Sequence, residues 1–227
     1  MFNTVEPKTV VPGVVAWEGS IDVPDGIVDQ MNNEVDEWKK SLKDFNLIDN
    51  TYSVIDKNGP IRFNPEHNFK EESSINYFKN VVSNTLDKLS LYFKIYPDVE
   101  QEVHWCEPWQ YITYRPPKNM HYHSDNHSTR QEGNHFYMTP FLRRVTILTY
   151  LTDDHKGGAL DFRYWEHEPY KPQAGTVVVM PSNFMYSHAT TPLLNGRKSA
   201  FLCAFSSGSD IDYNDNRRQL LWNKQWE

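Results

Sequence analysis

The pattern of apolar and polar positions changes character near Pro97: helical spacing before it gives way to short alternating runs after it. Over 27–42, Ile27, Val28, Met31, Val35, Trp38 and Leu42 fall on one face of a helix that starts near the turn Pro24-Asp25-Gly26. A second helix is predicted over 73–92, with Ile75, Phe78, Val82, Leu86 and Leu89 on one face, Val81 beside it and Ser74 as its cap. Between the two, 52–63 reads as strand and turn, broken at Lys57-Asn58-Gly59-Pro60. Beyond Pro97, strands are predicted at 110–115, 120–124, 145–151, 159–165, 176–180 and 199–205, the texture of an antiparallel sandwich or barrel. Asp153-Asp154-His155-Lys156-Gly157-Gly158 reads as a hairpin connection. The stretch 126–142 is polar and without a clear period, and reads as a long loop of the kind that forms lids. The polar end closes with a short helix over 217–226 that uses Leu220, Leu221 and Trp222. No internal repeat interrupts this order.

A chain of 227 residues suits one domain. The reading divides it into a helical and strand buttress (1–97), a β core (98–208) and a tail (209–227). With 23 basic against 30 acidic residues, the net charge of −7 argues against nucleic acid or an anionic membrane as partner. Seven tryptophans, thirteen tyrosines and twelve phenylalanines suit a fold of short strands. Cys106 and Cys203 are too few for a disulfide framework and read as small apolar residues in a reducing setting. The first residues lack a basic then apolar leader, and no stretch is long enough to span a bilayer, so a soluble, cytoplasmic protein is expected. The oligomeric state stays open.

The candidate chemistry lies in Met120-His121-Tyr122-His123-Ser124-Asp125-Asn126. On a strand, residues two apart share a face, so His123 and Asp125 can reach one ion. His188 follows the apolar strand closed by Pro181, where a further ligand can converge. Two neutral imidazoles and one carboxylate suit a mononuclear Fe(II) and leave coordination positions open. A lone His-x-Asp is weak evidence; the ordered surroundings carry the signal.

Those surroundings run in order: Tyr114, the pair His123-Ser124-Asp125, the strand Arg144 to Leu151, Gly157-Gly158-Ala159-Leu160-Asp161-Phe162, Pro181-Ser182, then His188-x-x-x-Pro192-x-x-x-Gly196-x-Lys198. Over about 109–205 the chain resembles the Fe(II)- and 2-oxoglutarate-dependent oxygenases, and within them the prolyl 4-hydroxylase-like branch. The resemblance implies a mainly β double-stranded β-helix, a jelly roll, with N-terminal helices against one sheet. It implies Fe(II), 2-oxoglutarate and O2, with ascorbate as a further small molecule. The implied reaction hydroxylates an unactivated C–H bond while 2-oxoglutarate loses CO2 to give succinate, and the branch points to a peptidyl proline as substrate. By the same resemblance His123, Asp125 and His188 hold the iron and Lys198 grips the distal carboxylate of 2-oxoglutarate.

A buried carboxylate needs a cation and hydroxyl donors. Lys198 supplies the first, and Tyr114 or Thr149 the second. Arg197 competes with Lys198, because related chains with a shorter connection place an arginine there; strand alternation lets only one point inward, and the register of Gly196 and Phe205 favours Lys198. The chain departs from the family at Met120, where a tyrosine is common, and at Ala159, where an acidic residue or threonine is common. His127, Arg130, His135, Phe136 and Tyr137 lie where the family builds substrate contacts. His121-x-His123 also resembles half of a cupin metal motif, but no glutamate follows at the right spacing. A small-molecule or free amino-acid hydroxylase, and a catalytically silent barrel that only binds, are the rival readings.

Overall fold

The computed structural model describes residues 5–41, 54–55, 60–132, 135–140 and 142–207. β1 (Lys8–Val11) and β2 (Val14–Trp17) pair antiparallel, and α1 (Ile27–Ser41) follows. β3 (Val54–Ile55) pairs with β4 (Ile61–Phe63), then α2 (Pro65–Asn68), α3 (Glu72–Ile95) and α4 (Pro97–Glu100) lead into the sheets. The strands that follow are β5 (Trp105–Cys106), β6 (Gln110–Tyr114), β7 (Met120–His123), β8 (His127–Glu132), β9 (His135–Pro140) and β10 (Arg143–Tyr150). The last are β11 (Lys156–Gly157), β12 (Leu160–Phe162), β13 (Val177–Pro181), β14 (His188–Thr190), β15 (Leu193–Asn195) and β16 (Lys198–Ser206).

A nine-stranded sheet runs β1-β2-β13-β10-β16-β6-β4-β3, with β5 on β16, and a three-stranded sheet runs β12-β14-β7. Residues of the two sheets pack together: Leu160 and Phe162 of the small sheet share a core with Val178, Met180, Leu148 and Ala200 of the large one. The other face of the large sheet buries Val145, Ile147, Phe201 and Phe205 against Met31 and Val35 of α1 and Val81, Leu86 and Leu89 of α3. The architecture is a double-stranded β-helix with helices covering one sheet. Period-two alternation divides β10 and β16 between these layers. Phe201, Cys203 and Phe205 face the helices, while Lys198 and Ala200 face the barrel interior.

Several expectations shift. α3 starts at Glu72 and its buried stripe runs through Phe78, Val81, Thr85 and Leu89, whereas Ile75 and Val82 are only partly buried. Ser74 is not the cap. It lies inside the helix, its hydroxyl bonded to the Glu34 carboxylate of α1, and that carboxylate also accepts the N–H groups of Lys70 and Glu71 at 2.6 and 3.2 Å. A residue from another helix thus fixes the two residues that lead into α3.

The stretch 126–142 is not a loop: β8 and β9 form an antiparallel pair from His127↔Pro140 to Glu132↔His135. Nor do 153–158 form a hairpin. They carry the chain from β10 in the large sheet to β12 in the small one, and β11 within them pairs with β15. Leu42, the turn 57–59 and the helix expected over 217–226 lie outside the described residues. No helix among those residues is long and apolar enough to cross a membrane.

Candidate metal and co-substrate site

His188 and His123 are register partners across β14 and β7, and their ring centroids lie 4.5 Å apart. β7 ends at His123, so Asp125 reaches the same point from the turn after the strand rather than from the strand face. Two attachments hold that turn. Arg143 donates from Nη1 to the main-chain oxygen of Asp125 at 3.2 Å, and the Asn126 N–H donates to the Ser182 oxygen at 3.0 Å. Arg143 is itself fixed by a fork onto Glu107, both contacts 2.7 Å. One ligand atom from each of His123, Asp125 and His188 lies within 4.8 Å of the others.

The hydrogen bonds decide which nitrogens face inward. His123 Nδ1 is 2.8 Å from the His121 oxygen, and His188 Nδ1 is 3.0 Å from the Tyr186 oxygen. A carbonyl only accepts, so each Nδ1 carries the hydrogen and a neutral ring keeps its lone pair on Nε2. Both Nε2 atoms point at Asp125, at 3.4 and 3.9 Å. Asp125 Oδ2 is buried and has no hydrogen-bond partner among the described residues. A carboxylate with one orphaned oxygen, its two oxygens each facing an imidazole lone pair, is a donor set that a divalent cation completes.

Burial works against the Asp125 charge, but His188 and His123 outweigh it and hold the carboxyl well below the ordinary carboxylate range. Burial also favours neutral His123, yet its bond to Asp125 raises it above the ordinary histidine value, while burial lowers His188. The cluster opens on the His123 side: its side chain is 28% exposed, against 13% for Asp125 and 8% for His188.

Further inside, Lys198 is buried, and its Nζ donates to the Gly158 oxygen at 2.5 Å. The ammonium sits 5.6 Å from the Tyr114 ring centroid and 5.1 Å from that of Tyr150. Burial pushes Lys198 down to about 7. An enclosed cation held by a carbonyl and two rings is a fit for an anionic group. The Tyr114 hydroxyl lies 3.5 Å from the Met120 sulfur, so the residue that departs from the family pattern stands on this wall.

Two candidates for the co-substrate face elsewhere. Arg197 turns to α1, donating to Thr113 Oγ1 and Asp36 Oδ2 at 2.8 Å each, and lines a cleft of about 510 Å³ on that side. Thr149 faces α3, its hydroxyl 3.0 Å from that of Thr85. The reason is parity: Thr149 pairs with Phe201 and Tyr150 with Ala200, and Ala200 shares the face of Lys198. Sequence reasoning missed Tyr150, although this alternation carried the signal. His121 is exposed and outside the cluster, contributing only its carbonyl. His127 bonds Ser124 Oγ at 2.8 Å, and the side chains of Arg130, His135, Phe136 and Tyr137 lie outside the described residues.

Residues 109–205 match the family model of the 2OG-Fe(II) oxygenase superfamily. This segment belongs to that superfamily. The oxygenase core spans β6 to β16 and contains the His-Asp-His cluster and Lys198, and its family takes Fe(II), 2-oxoglutarate and O2. No curated protein matches the chain. Among solved structures, the viral collagen prolyl hydroxylase of Paramecium bursaria Chlorella virus-1, in its 2OG complex, is similar at 16% identity and a TM-score of 0.55, over 87% of this chain and 97% of that one. A Pseudomonas putida prolyl-4-hydroxylase is similar at 16% identity and TM-score 0.51, over 87% and 94%. A Trichoplax adhaerens prolyl hydroxylase, solved with a hypoxia inducible factor oxygen degradation domain peptide fragment, is similar at 15% identity and TM-score 0.55, over 92% and 86%. At these identities the likeness extends to the fold of the oxygenase.

Proposed function

We propose that the protein is a prolyl hydroxylase-like dioxygenase in which His123, Asp125 and His188 hold Fe(II) and Lys198 holds the distal carboxylate of 2-oxoglutarate. The observation that carries the reading is the Asp125 carboxylate, which meets His123 Nε2 through Oδ1 and His188 Nε2 through Oδ2, the latter buried and without a hydrogen-bond partner among the described residues. Bound Fe(II) supplies the oxidative chemistry by which O2 and 2-oxoglutarate yield a hydroxylated C–H bond, succinate and CO2.

The chain's own residues do the rest. The His121 and Tyr186 carbonyls keep both imidazoles in the tautomer that offers Nε2. Arg143 and Ser182 fix the turn that presents Asp125. Tyr114 and Tyr150 wall Lys198 from water, so its ammonium meets a carboxylate in a poorly screened setting. The interior packing of Phe162 beside His188, with ring centroids 6.0 Å apart, closes the side of the cluster away from the mouth.

A peptidyl proline is the proposed substrate, on the strength of the prolyl hydroxylases among similar folds, one of which was solved with a peptide. Ascorbate enters the same proposal as an added reductant in the assay. The test is succinate release with Fe(II) and 2-oxoglutarate over a panel of proline-rich peptides and free amino acids. Stimulation by peptides with a mass gain of one oxygen on proline supports the reading. Stimulation by free amino acids alone would move it to small-molecule hydroxylation, and no succinate under any condition would favour a silent barrel.

A further inference from the structure

We infer that His155 is a positioning residue for the co-substrate: it fixes the Gly157-Gly158 turn whose carbonyl aims Lys198 into the barrel. This rests on the reading of Lys198 given above. His155 is buried beside this turn, and its Nδ1 lies 3.1 Å from the Gly157 oxygen. A carbonyl only accepts, so the ring donates and closes the turn. The next carbonyl in the chain, that of Gly158, is the acceptor of the Lys198 ammonium.

The turn is closely packed. Gly157 and Gly158 both have positive φ, 75° and 71°. A Cβ on Gly157 would collide with the Pro192 carbonyl oxygen, and one on Gly158 would stand 3.1 Å from the His155 ring and 3.2 Å from the Lys198 stem. The imidazole and the lysine stem therefore flank the same glycine, which packs between them. On its other side His155 packs against Gly196, which lies two residues before Lys198 in the chain. The His155 carbonyl takes the ammonium of Lys171, and the Lys156 N–H bonds Asn195 Oδ1 at 2.9 Å. The segment is thereby stapled at several points to β15 and to the chain entering β16.

The consequence is mechanical. Lys198 carries a flexible stem, and an ammonium is a point charge with no fork to orient it. The Gly158 oxygen is its one hydrogen-bond acceptor among the described residues, so the direction of that carbonyl sets where the cation waits. Losing the His155 bond loosens the peptide that joins two glycines, the residues with the widest backbone freedom, within a segment still tied to β15 and Thr191. A carboxylate would then meet a cation that is present but no longer aimed.

The experiment measures 2-oxoglutarate binding to the Fe(II)-loaded full chain, anaerobically, for His155→Leu, His155→Asn, His155→Gln and Lys198→Met. Asparagine keeps an amide donor near the Nδ1 position, whereas glutamine moves it outward by one bond. We expect His155→Leu and His155→Gln to raise the 2-oxoglutarate Kd about tenfold, the loss of one buried hydrogen bond, and His155→Asn to restore it to within about threefold. For the His155 variants, Fe(II) stoichiometry should stay near wild type and the effect should fall on the 2-oxoglutarate KM rather than on kcat. If His155→Leu does not fold, the contrast between Gln and Asn decides. Wild-type binding by His155→Leu or Gln, or an Asn variant as weak as they are, overturns the inference. Wild-type binding by Lys198→Met instead overturns the assignment of Lys198 on which it rests.

Discussion

Arg143 Nη1 stands 3.2 Å from the main-chain oxygen of Asp125. A cation forked onto Glu107 in one layer thus holds the turn that presents a carboxylate to two histidines. Arg143→Lys keeps the charge but loses the planar fork. The expected outcome is an Fe(II) affinity reduced about tenfold, in the range that partners of metal ligands command. Equilibrium dialysis against Fe(II) under argon measures it, and an unchanged affinity would show that the turn holds itself.

Lys198 and Arg197 are adjacent in sequence and serve different layers. Lys198→Met should raise the 2-oxoglutarate requirement by about a hundredfold, since a desolvated carboxylate would lose its counter-charge. Arg197→Met should leave that requirement within about twofold and cost about 1–3 kcal/mol of stability, because it removes the bonds to Thr113 and Asp36 at a partly buried site. Succinate assays and urea denaturation on the two variants give the ranking; the reverse order would exchange their roles.

Much of this was legible in the chain because strand alternation is local. The parity that set Arg197 against Lys198 was readable, and the same rule applied to Thr149 and Tyr150 would have chosen the tyrosine. What escaped depended on distant partners. The residues leading into α3 are pinned by Glu34 from α1, and the N-cap Glu71 makes no side-chain cap bond, so no local residue marks the start. The pair β8 and β9 hid behind a polar composition, although Gly133-Asn134 between two runs of equal length is a hairpin signal. The segment 153–158 has hairpin glycines but leads to the other sheet, which only the pairing of β11 with β15 reveals. Asp125 leaves the strand after His123, since the turn is bound to Arg143 and Ser182, far away in sequence.

The two neighbours on β10 give a direct contrast. Thr149→Val should not change 2-oxoglutarate binding and should lower stability by about 1 kcal/mol, because it strands the buried Thr85 hydroxyl. Tyr150→Leu, which removes the ring beside the Lys198 ammonium, should raise the 2-oxoglutarate KM severalfold. Steady-state succinate kinetics separate the two; a KM effect confined to Thr149→Val would contradict the parity of β10.

The lowered Lys198 predicts a pH dependence. With burial placing it at about 7, the ligand-free protein loses the ammonium as pH rises through 7, while the unfolded chain keeps its proton up to about 10.5. 2-Oxoglutarate binds the charged form, so its affinity should be greatest below about 7 and fall by up to about tenfold per pH unit above it. Stability of the ligand-free protein should rise over the same interval, since the unfolded state then binds more protons. Kd values from pH 6.5 to 8.5, beside a thermal melt series, check both slopes, and a flat affinity would show the lysine charged throughout.

On the reading proposed above, Asp125, between His123 and His188, is an iron ligand that leaves room for 2-oxoglutarate. The most direct test of that reading is an anaerobic titration of the full chain with Fe(II) and 2-oxoglutarate, followed by visible absorption, for wild type and Asp125→Ala. The expected result is a metal-to-ligand charge-transfer band in the wild type that saturates at one Fe(II) per chain, and none in Asp125→Ala although that variant stays folded. A band of equal strength in Asp125→Ala, or none in the wild type, would contradict it.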